Sequence, residues 1–113
     1  MAKVFSSLCE NRDFRRLYAR GQSFVHPALC VYVMKSRHHT FRVGITAGKK
    51  VGNAVQRNRA RRIIRESFRN VLPRLRPGFD IVFVARSRTP SLKSTDLDPV
   101  IAKSFSVLGL LKL

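Results

Sequence analysis

Residues 49–69 read KKVGNAVQRNRARRIIRESFR. On a helix at about 100° per residue, Ala60, Ile63, Ile64, Ser67, Phe68 and Val71 fall on one side. Asn58, Arg61, Arg62, Arg65 and Arg69 fall on the other, with Arg57 and Arg59 on the flanks. One side can pack against a sheet while the other presents a ladder of guanidiniums. Asn53 is placed to cap this helix and Pro73 helps to stop it, so the helix is expected over 54–72. A charged helix face is ordinarily a solvated one, with signs mixed to gain pairs three and four apart. This face has Glu66 as its only acid. Like charges at those spacings destabilise a helix unless phosphates neutralise them, which favours nucleic-acid contact over a solvated face. Arginine suits that task, because its planar fork holds phosphate bidentately and stacks on bases. Lys49 and Lys50 precede the helix start, where free backbone N–H groups also favour anions. The stretch is not a nucleotide-binding phosphate loop. Gly44 and Gly48 have three residues between them instead of four, and Lys50 follows Lys49 where Ser or Thr is required.

Outward from this helix, Phe41, Val43, Ile45 and Ala47 alternate with Arg42, Gly44 and Thr46, the period of a half-buried strand. Before it, 22–26 and 29–35 read as strands broken near His26-Pro27, and 35–40 as a basic turn. Residues 11–20 read as a short helix that Asn11 can cap and Gly21 can end. Phe14, Leu17 and Tyr18 share one of its faces. After Pro77-Gly78, residues 79–85 form an apolar strand, and 87–94 a polar loop. A last helix starts near Ser94 or Thr95, with Leu97, Val100, Ile101, Phe105 and Leu108 in a stripe. The order is α-β-β-β-α-β-α, a single α+β domain over 1–113 with helices packed on a four-stranded sheet.

The chain has 113 residues, 44% of them hydrophobic, enough for one core and against a disordered basic tail. Its 23 Lys and Arg against 6 Asp and Glu give a formal charge of +17. A folded domain with that imbalance repels itself unless something anionic binds it. No stretch approaches the roughly 18 continuous apolar residues of a membrane span. Met1 to Glu10 lacks the apolar run of a secretory signal. Cys9 and Cys30 have no CxxC spacing and read as thiols in a reducing compartment. The expected location is cytoplasmic.

Catalytic signals are missing. His26, His38 and His39 fall in loops with no carboxylate or cysteine partner in the sequence pattern. The six acids are scattered, without the clustering that holds Mg²⁺ in protein nucleases. No catalytic and no metal-ligating residue is assigned. Phe14, Tyr18 and Tyr32 form a second candidate group, because aromatics on a strand and a neighbouring helix can stack single-stranded bases. From composition alone, core packing is the simpler reading of those three. Phe24, Phe41, Phe68, Phe79, Phe83 and Phe105 are assigned to the core.

The stretch at 49–69 resembles the signature of the bacterial ribonuclease P protein family, a Lys-Lys-x-Gly-Asn-Ala-Val loop running into an Arg-Asn-Arg helix. The resemblance continues in order at 13–21 (DFRRLYARG), 41–50 (FRVGITAGKK) and 79–86 (FDIVFVAR). It implies a ribosomal-protein-like α+β fold with a left-handed crossover. It implies a subunit that assists a catalytic RNA in removing the 5′ leader of precursor tRNA, with Mg²⁺ bound mainly by the RNA. Carried over by position, Lys49, Lys50, Asn53, Arg57, Asn58, Arg59, Arg61, Arg62 and Arg65 face the catalytic RNA, and Arg69 ends the same ladder. Phe14, Tyr18 and Tyr32 line a cleft for the leader, with Arg57 and Asn58 on its edge, which reverses the composition-only reading of the aromatics. The implied partners are the catalytic RNA and precursor tRNA, with no membrane and no obligate protein partner. Gln56 departs from the family's usual apolar or small residue, and the segment before Phe14 is short and weakly basic. Three rivals differ in what they predict. A general RNA chaperone gives no leader preference, a protein-only nuclease cleaves without RNA, and a membrane binder needs exposed apolar residues opposite its charges.

Overall fold

The computed structural model describes residues 5–8, 11–36 and 41–111. Cys9, His38, His39 and most of the expected turn at 35–40 lie outside the described residues. The elements are β1 (Phe5–Ser7), α1 (Asn11–Arg20), β2 (Gln22–Val25), β3 (Leu29–Lys35), β4 (Phe41–Thr46), α2 (Ala54–Val71), β5 (Phe79–Ala85) and α3 (Ser94–Leu108). The expected order of three helices and four strands is present, and one short strand is added before α1. The sheet runs β1-β4-β5-β3-β2. β4 pairs with β5 in parallel, so α2 is a crossover between neighbouring strands, while β3 is antiparallel to both β5 and β2. β1 adds parallel to β4, with Phe5 opposite Phe41. Three residues without alternation carry no strand signal of their own. Their pairing comes from a strand more than thirty residues later.

The sheet divides two layers of different chemistry. Side chains alternate across a strand, so β3 sends Leu29, Val31 and Val33 to one face and Cys30, Tyr32 and Met34 to the other. The first set joins Phe41, Val43, Ile81 and Phe83 under α2 and α3, which form the main core. Phe68 of α2 sits at its centre, with ring centroids 6.3 Å from Phe41, 5.5 Å from Phe83 and 6.2 Å from Phe105. α2 buries Ala60, Ile63, Ile64, Ser67, Phe68 and Val71, the six residues its periodicity selects. α3 buries Leu97, Ile101, Ser104 and Phe105. Asp98 ties the two helices by accepting from Ser67 Oγ at 2.6 Å and Asn70 Nδ2 at 3.2 Å. Of the aromatics assigned to the core, Phe79 is half-buried against it. Phe24 is outside it, on the edge strand, stacked on His26 at 6.5 Å.

Among the described residues, α1 is the one helix on the opposite face. Leu17 is fully buried there with Leu8 and Val82, and Phe14, Tyr32, Met34 and Val84 pack around them. Gly44 makes this approach possible. A Cβ on it would lie 2.7 Å from two ring carbons of Phe14. α1 is also held by charge. Arg42 on β4 grips Asp80 on β5 through two hydrogen bonds, Nε at 2.9 Å and Nη2 at 2.7 Å. Arg16 and Asp13 of α1 complete the network, Arg16 at 3.7 Å from Asp80 and Asp13 at 3.8 Å from Arg42.

Candidate nucleic-acid interface

The basic helix begins at a tight, uncharged cap. Asn53 Oδ1 accepts from the Gln56 backbone N–H at 3.0 Å, and Gln56 Oε1 accepts from the Asn53 N–H at 3.0 Å. This reciprocal pair satisfies two of the free donors at the helix start. It gives Gln56 a local task at the position where it departs from the family pattern. Gly52 precedes the cap at φ 142°, a conformation that side chains disfavour. Lys49 and Lys50 lie exposed in a single 3-10 turn before it, anchored by buried Val51. No acid stands in the first turn of α2, so its partial positive charge adds to that of the lysines.

Along α2 the arginines divide by flank. The side toward α3 is taken by Ser67 and Asn70, which bond Asp98, and by Arg59, whose Nε donates to the Pro90 carbonyl at 2.7 Å. Arg59 therefore tethers the 87–94 loop as well as contributing charge. The row Arg57, Arg61, Arg65 and Arg69, four residues apart, follows the other flank for about 18 Å. Arg57 and Arg61 are half-buried, while Arg62, Arg65 and Arg69 are exposed. Arg61 donates to Asn58 Oδ1 at 3.1 Å. Among the described residues, no carboxylate lies within ion-pair distance of any of these arginines. Val55, 76% exposed, stands among Asn58, Arg59 and Arg62 at a shallow depression of about 430 Å³. Sequence reasoning passed over it, because an isolated apolar residue on a polar face gives no periodic signal.

The aromatic trio is brought together on the α1 face. Tyr18 and Tyr32 meet edge to face at 5.0 Å, and Phe14 lies 6.5 Å from Tyr18. Tyr18 is 44% exposed, and the other two are half-buried. Tyr32 pairs with Val82 beside Gly44. Two positions further along, Cys30, Val84 and Thr46 reach the end of the sheet where β4 leads into Lys49 and α2. Two strand positions span about 7 Å. Tyr32 is the middle residue of β3 and Val82 that of β5, so the trio lies at the centre of the α1 face, two strand positions from the end where the basic helix starts. Arg57 and Asn58 sit in the first turns of α2 at that end, on the helix that packs against the opposite face, and neither bonds to the trio.

Of the remaining candidates, His26 Nδ1 accepts from the Ala28 N–H at 3.0 Å, a turn contact. Cys30 is a free, half-buried thiol 3.8 Å from Arg86 Nη1. Among the described residues, no three of His, Cys, Asp or Glu gather as a metal site, and no helix is long and apolar enough to cross a membrane.

Comparison with known proteins bears on the family and the fold. A family model described as Ribonuclease P matches residues 3–108. The "Ribonuclease P protein component" of Clostridioides difficile (strain 630) is 42% identical over 95 residues, covering 83% of each chain. That of Oceanobacillus iheyensis is 35% identical over 104 residues, covering 91% of this chain and 86% of its own. The solved RNase P protein of Staphylococcus aureus superposes with a TM-score of 0.80 at 28% identity, covering 94% of this chain and 97% of that one. The RNase P protein of Thermotoga maritima gives 0.75 at 26% identity, covering 91% and 94%.

Proposed function

The chain belongs to the ribonuclease P protein family, and on that premise we propose that it is the protein subunit of a cytoplasmic ribonucleoprotein that removes the 5′ leader from precursor tRNA. The RNA partner performs the hydrolysis. The observation that carries this reading is the presence of two unlike surfaces on opposite faces of one sheet: a cation row on α2 without acid partners among the described residues, and an aromatic trio on α1 and β3. The first suits the phosphates of a folded RNA, and the second suits unpaired bases.

The division of labour follows from the chemistry. Lys49, Lys50 and the exposed arginines of α2 neutralise phosphates of the catalytic RNA, which lowers the Mg²⁺ concentration that RNA needs to hold its fold. Mg²⁺ is held mainly by the RNA in this reading, and Asp13 and Asp80 of this chain are engaged by Arg16 and Arg42. Phe14, Tyr18 and Tyr32 stack the leader, so precursor binds better than the mature product and the product leaves. Base stacking on an aromatic contributes about 1–3 kcal/mol per base, enough for a preference of roughly tenfold or more from one good contact.

The test is cleavage of precursor tRNA at low Mg²⁺ by this protein alone, by bacterial ribonuclease P RNA alone, and by the two together. Cleavage at the mature 5′ end only in the mixture supports the reading. Cleavage by the protein alone overturns the assignment of chemistry to the RNA. Absence of stimulation reduces the chain to a general RNA binder.

A further inference from the structure

Val55 is the second residue of α2, after the Asn53 cap and Ala54, and it is 76% exposed. On the helical wheel it lies about 180° from Ile64 of the buried stripe. It therefore faces away from the sheet. Two structural reasons for an apolar residue at a helix start are missing. A hydrophobic staple pairs the residue before the cap with the fourth helical residue, and these are Gly52 and Arg57. Val55 also lies outside both hydrophobic clusters. Valine forms helices less readily than alanine or lysine, so neither the helix nor the core accounts for it.

Its neighbours supply a reason. Asn58, Arg59 and Arg62 stand three, four and seven residues on, so the four side chains share one face over about 10 Å. They line the depression described above, and most of its surface is carbon, from Val55 and the arginine stems. The polar groups around it have capacity left. Asn58 Oδ1 accepts from Arg61, which leaves the Nδ2 amino group as a donor. Arg59 Nε donates to the Pro90 carbonyl, which holds the guanidinium by one edge and leaves its terminal nitrogens and its planar face. The loop that holds it is itself fixed. Thr89 is fully buried, its Oγ1 donating to the Ala28 carbonyl at 2.6 Å and accepting from the Arg86 N–H at 2.9 Å. Among the described residues, neither Arg59 nor Arg62 has an ion pair.

This combination discriminates between parts of an RNA chain. A bare phosphate is bound by N–H donors and gains nothing from a carbon surface. A nucleotide with an unstacked base gains from both. Its base lies on Val55 beside the Arg59 plane, the base edge accepts from Asn58 Nδ2, and its phosphate meets Arg62. Stacking on guanidinium planes and hydrogen bonding at base edges are the means by which proteins read unstacked bases of RNA. The depression faces away from the sheet, whose opposite face carries Phe14, Tyr18 and Tyr32. The nucleotide therefore belongs to the RNA lying against α2, and not to the leader.

We propose that Val55, Asn58 and Arg59 hold one unstacked base of the catalytic RNA, with Arg62 on its phosphate. The inference rests on the RNA-binding reading above and adds a base contact to it, so that part of the affinity does not depend on charge.

The test compares Val55→Ser with wild type and with the conservative Val55→Ile. Three measurements are made: binding to ribonuclease P RNA over a salt series, chemical probing of the base edges of that RNA with and without protein, and precursor tRNA binding by the holoenzyme. Val55→Ser changes no charge, so the slope of log affinity against log salt should stay at the wild-type value. The affinity should fall about tenfold at every salt concentration, the effect of losing one buried apolar side chain. One base protected by the wild-type protein should become reactive with Val55→Ser, and Val55→Ile should restore both affinity and protection. Val55 is exposed in the free chain, so thermal unfolding should be unchanged, which separates a lost contact from a lost fold. Unchanged affinity overturns the proposal. A loss of affinity without a change at any base overturns it too, and so does a loss confined to precursor binding. Failure of the wild-type protein to bind the RNA at all would overturn the subunit reading and this contact with it, an outcome seen before any variant is compared.

Discussion

Gly44→Ala offers a test whose sign, as well as size, depends on the packing of α1. Gly44 does not have a positive φ, so alanine fits the backbone. With nothing else changed, it would stabilise the chain by about 0.4–1 kcal/mol through the unfolded state. The new Cβ, however, meets two Phe14 ring carbons at 2.7 Å and Leu8 Cβ at 3.3 Å. Ordinary carbon contacts lie near 3.5–4.0 Å, so the ring must retreat by roughly 1 Å. Overpacking of that kind costs about 1–3 kcal/mol. The clash outweighs the entropy gain, leaving a net loss of about 1–2 kcal/mol. At roughly 4–8 °C per kcal/mol, Tm should fall by about 4–16 °C in thermal unfolding followed by circular dichroism. Adding Phe14→Leu to Gly44→Ala should recover part of that loss. Because Phe14 is displaced from the trio, the ratio of precursor to mature tRNA affinity should shrink, while affinity for the catalytic RNA holds. A rise in Tm would refute the close packing of Phe14 on Gly44. A lowered Tm with an unchanged affinity ratio would refute the role given to the trio.

Arg62→Gln with Arg65→Gln should weaken catalytic-RNA binding and flatten its salt dependence by about 1.4–1.8 for two phosphate contacts, read by filter binding; an unchanged slope would remove those residues from the interface. Tyr32→Ala should instead lower the precursor-to-product affinity ratio, and equal effects of both changes on the same step would contradict the two-surface arrangement. Asn53→Ala should destabilise the protein by about 1 kcal/mol in urea unfolding, the usual cost of a lost helix cap. Asp80→Asn leaves Arg42 without its bidentate partner. The loss should be about 3 kcal/mol, at the low end for a broken buried pair, because the Arg42 side chain keeps 24% exposure and Asp13 nearby.

Helix α2 was legible almost residue by residue, because a regular 3.6 period with one apolar stripe has only one way to lie on a sheet. The pairing of Phe14 with Tyr18 was legible for the same reason. Tyr32 was assigned to one cleft with them through the family resemblance and not through periodicity, since its place depends on how α1 crosses β3. β1 escaped because its signal is its partner strand. The Arg42–Asp80 clamp escaped because the two residues are 38 apart and meet only through the β4–β5 register. In the sequence, Asp80 is simply one acid in an apolar run. Arg59 was legible as a cation but not as a tether, because its acceptor is a backbone carbonyl in a loop that has no pattern. Phe24 was misassigned because an aromatic on a short edge strand has the composition of a core residue without the cover of one.

The alternation along β3 has a consequence for how such a chain can vary. Cys30, Tyr32 and Met34 look toward α1, while Leu29, Val31 and Val33 hold the layer on which the basic helix rests. Substitution at the first set can retune one surface over evolutionary time while the other stays in place. Insertion or deletion of one residue within β3 would exchange the two sets at once. Related sequences should therefore exchange residues 30 and 34 more freely than the aromatic at 32, and differ hardly at all in the length of this strand.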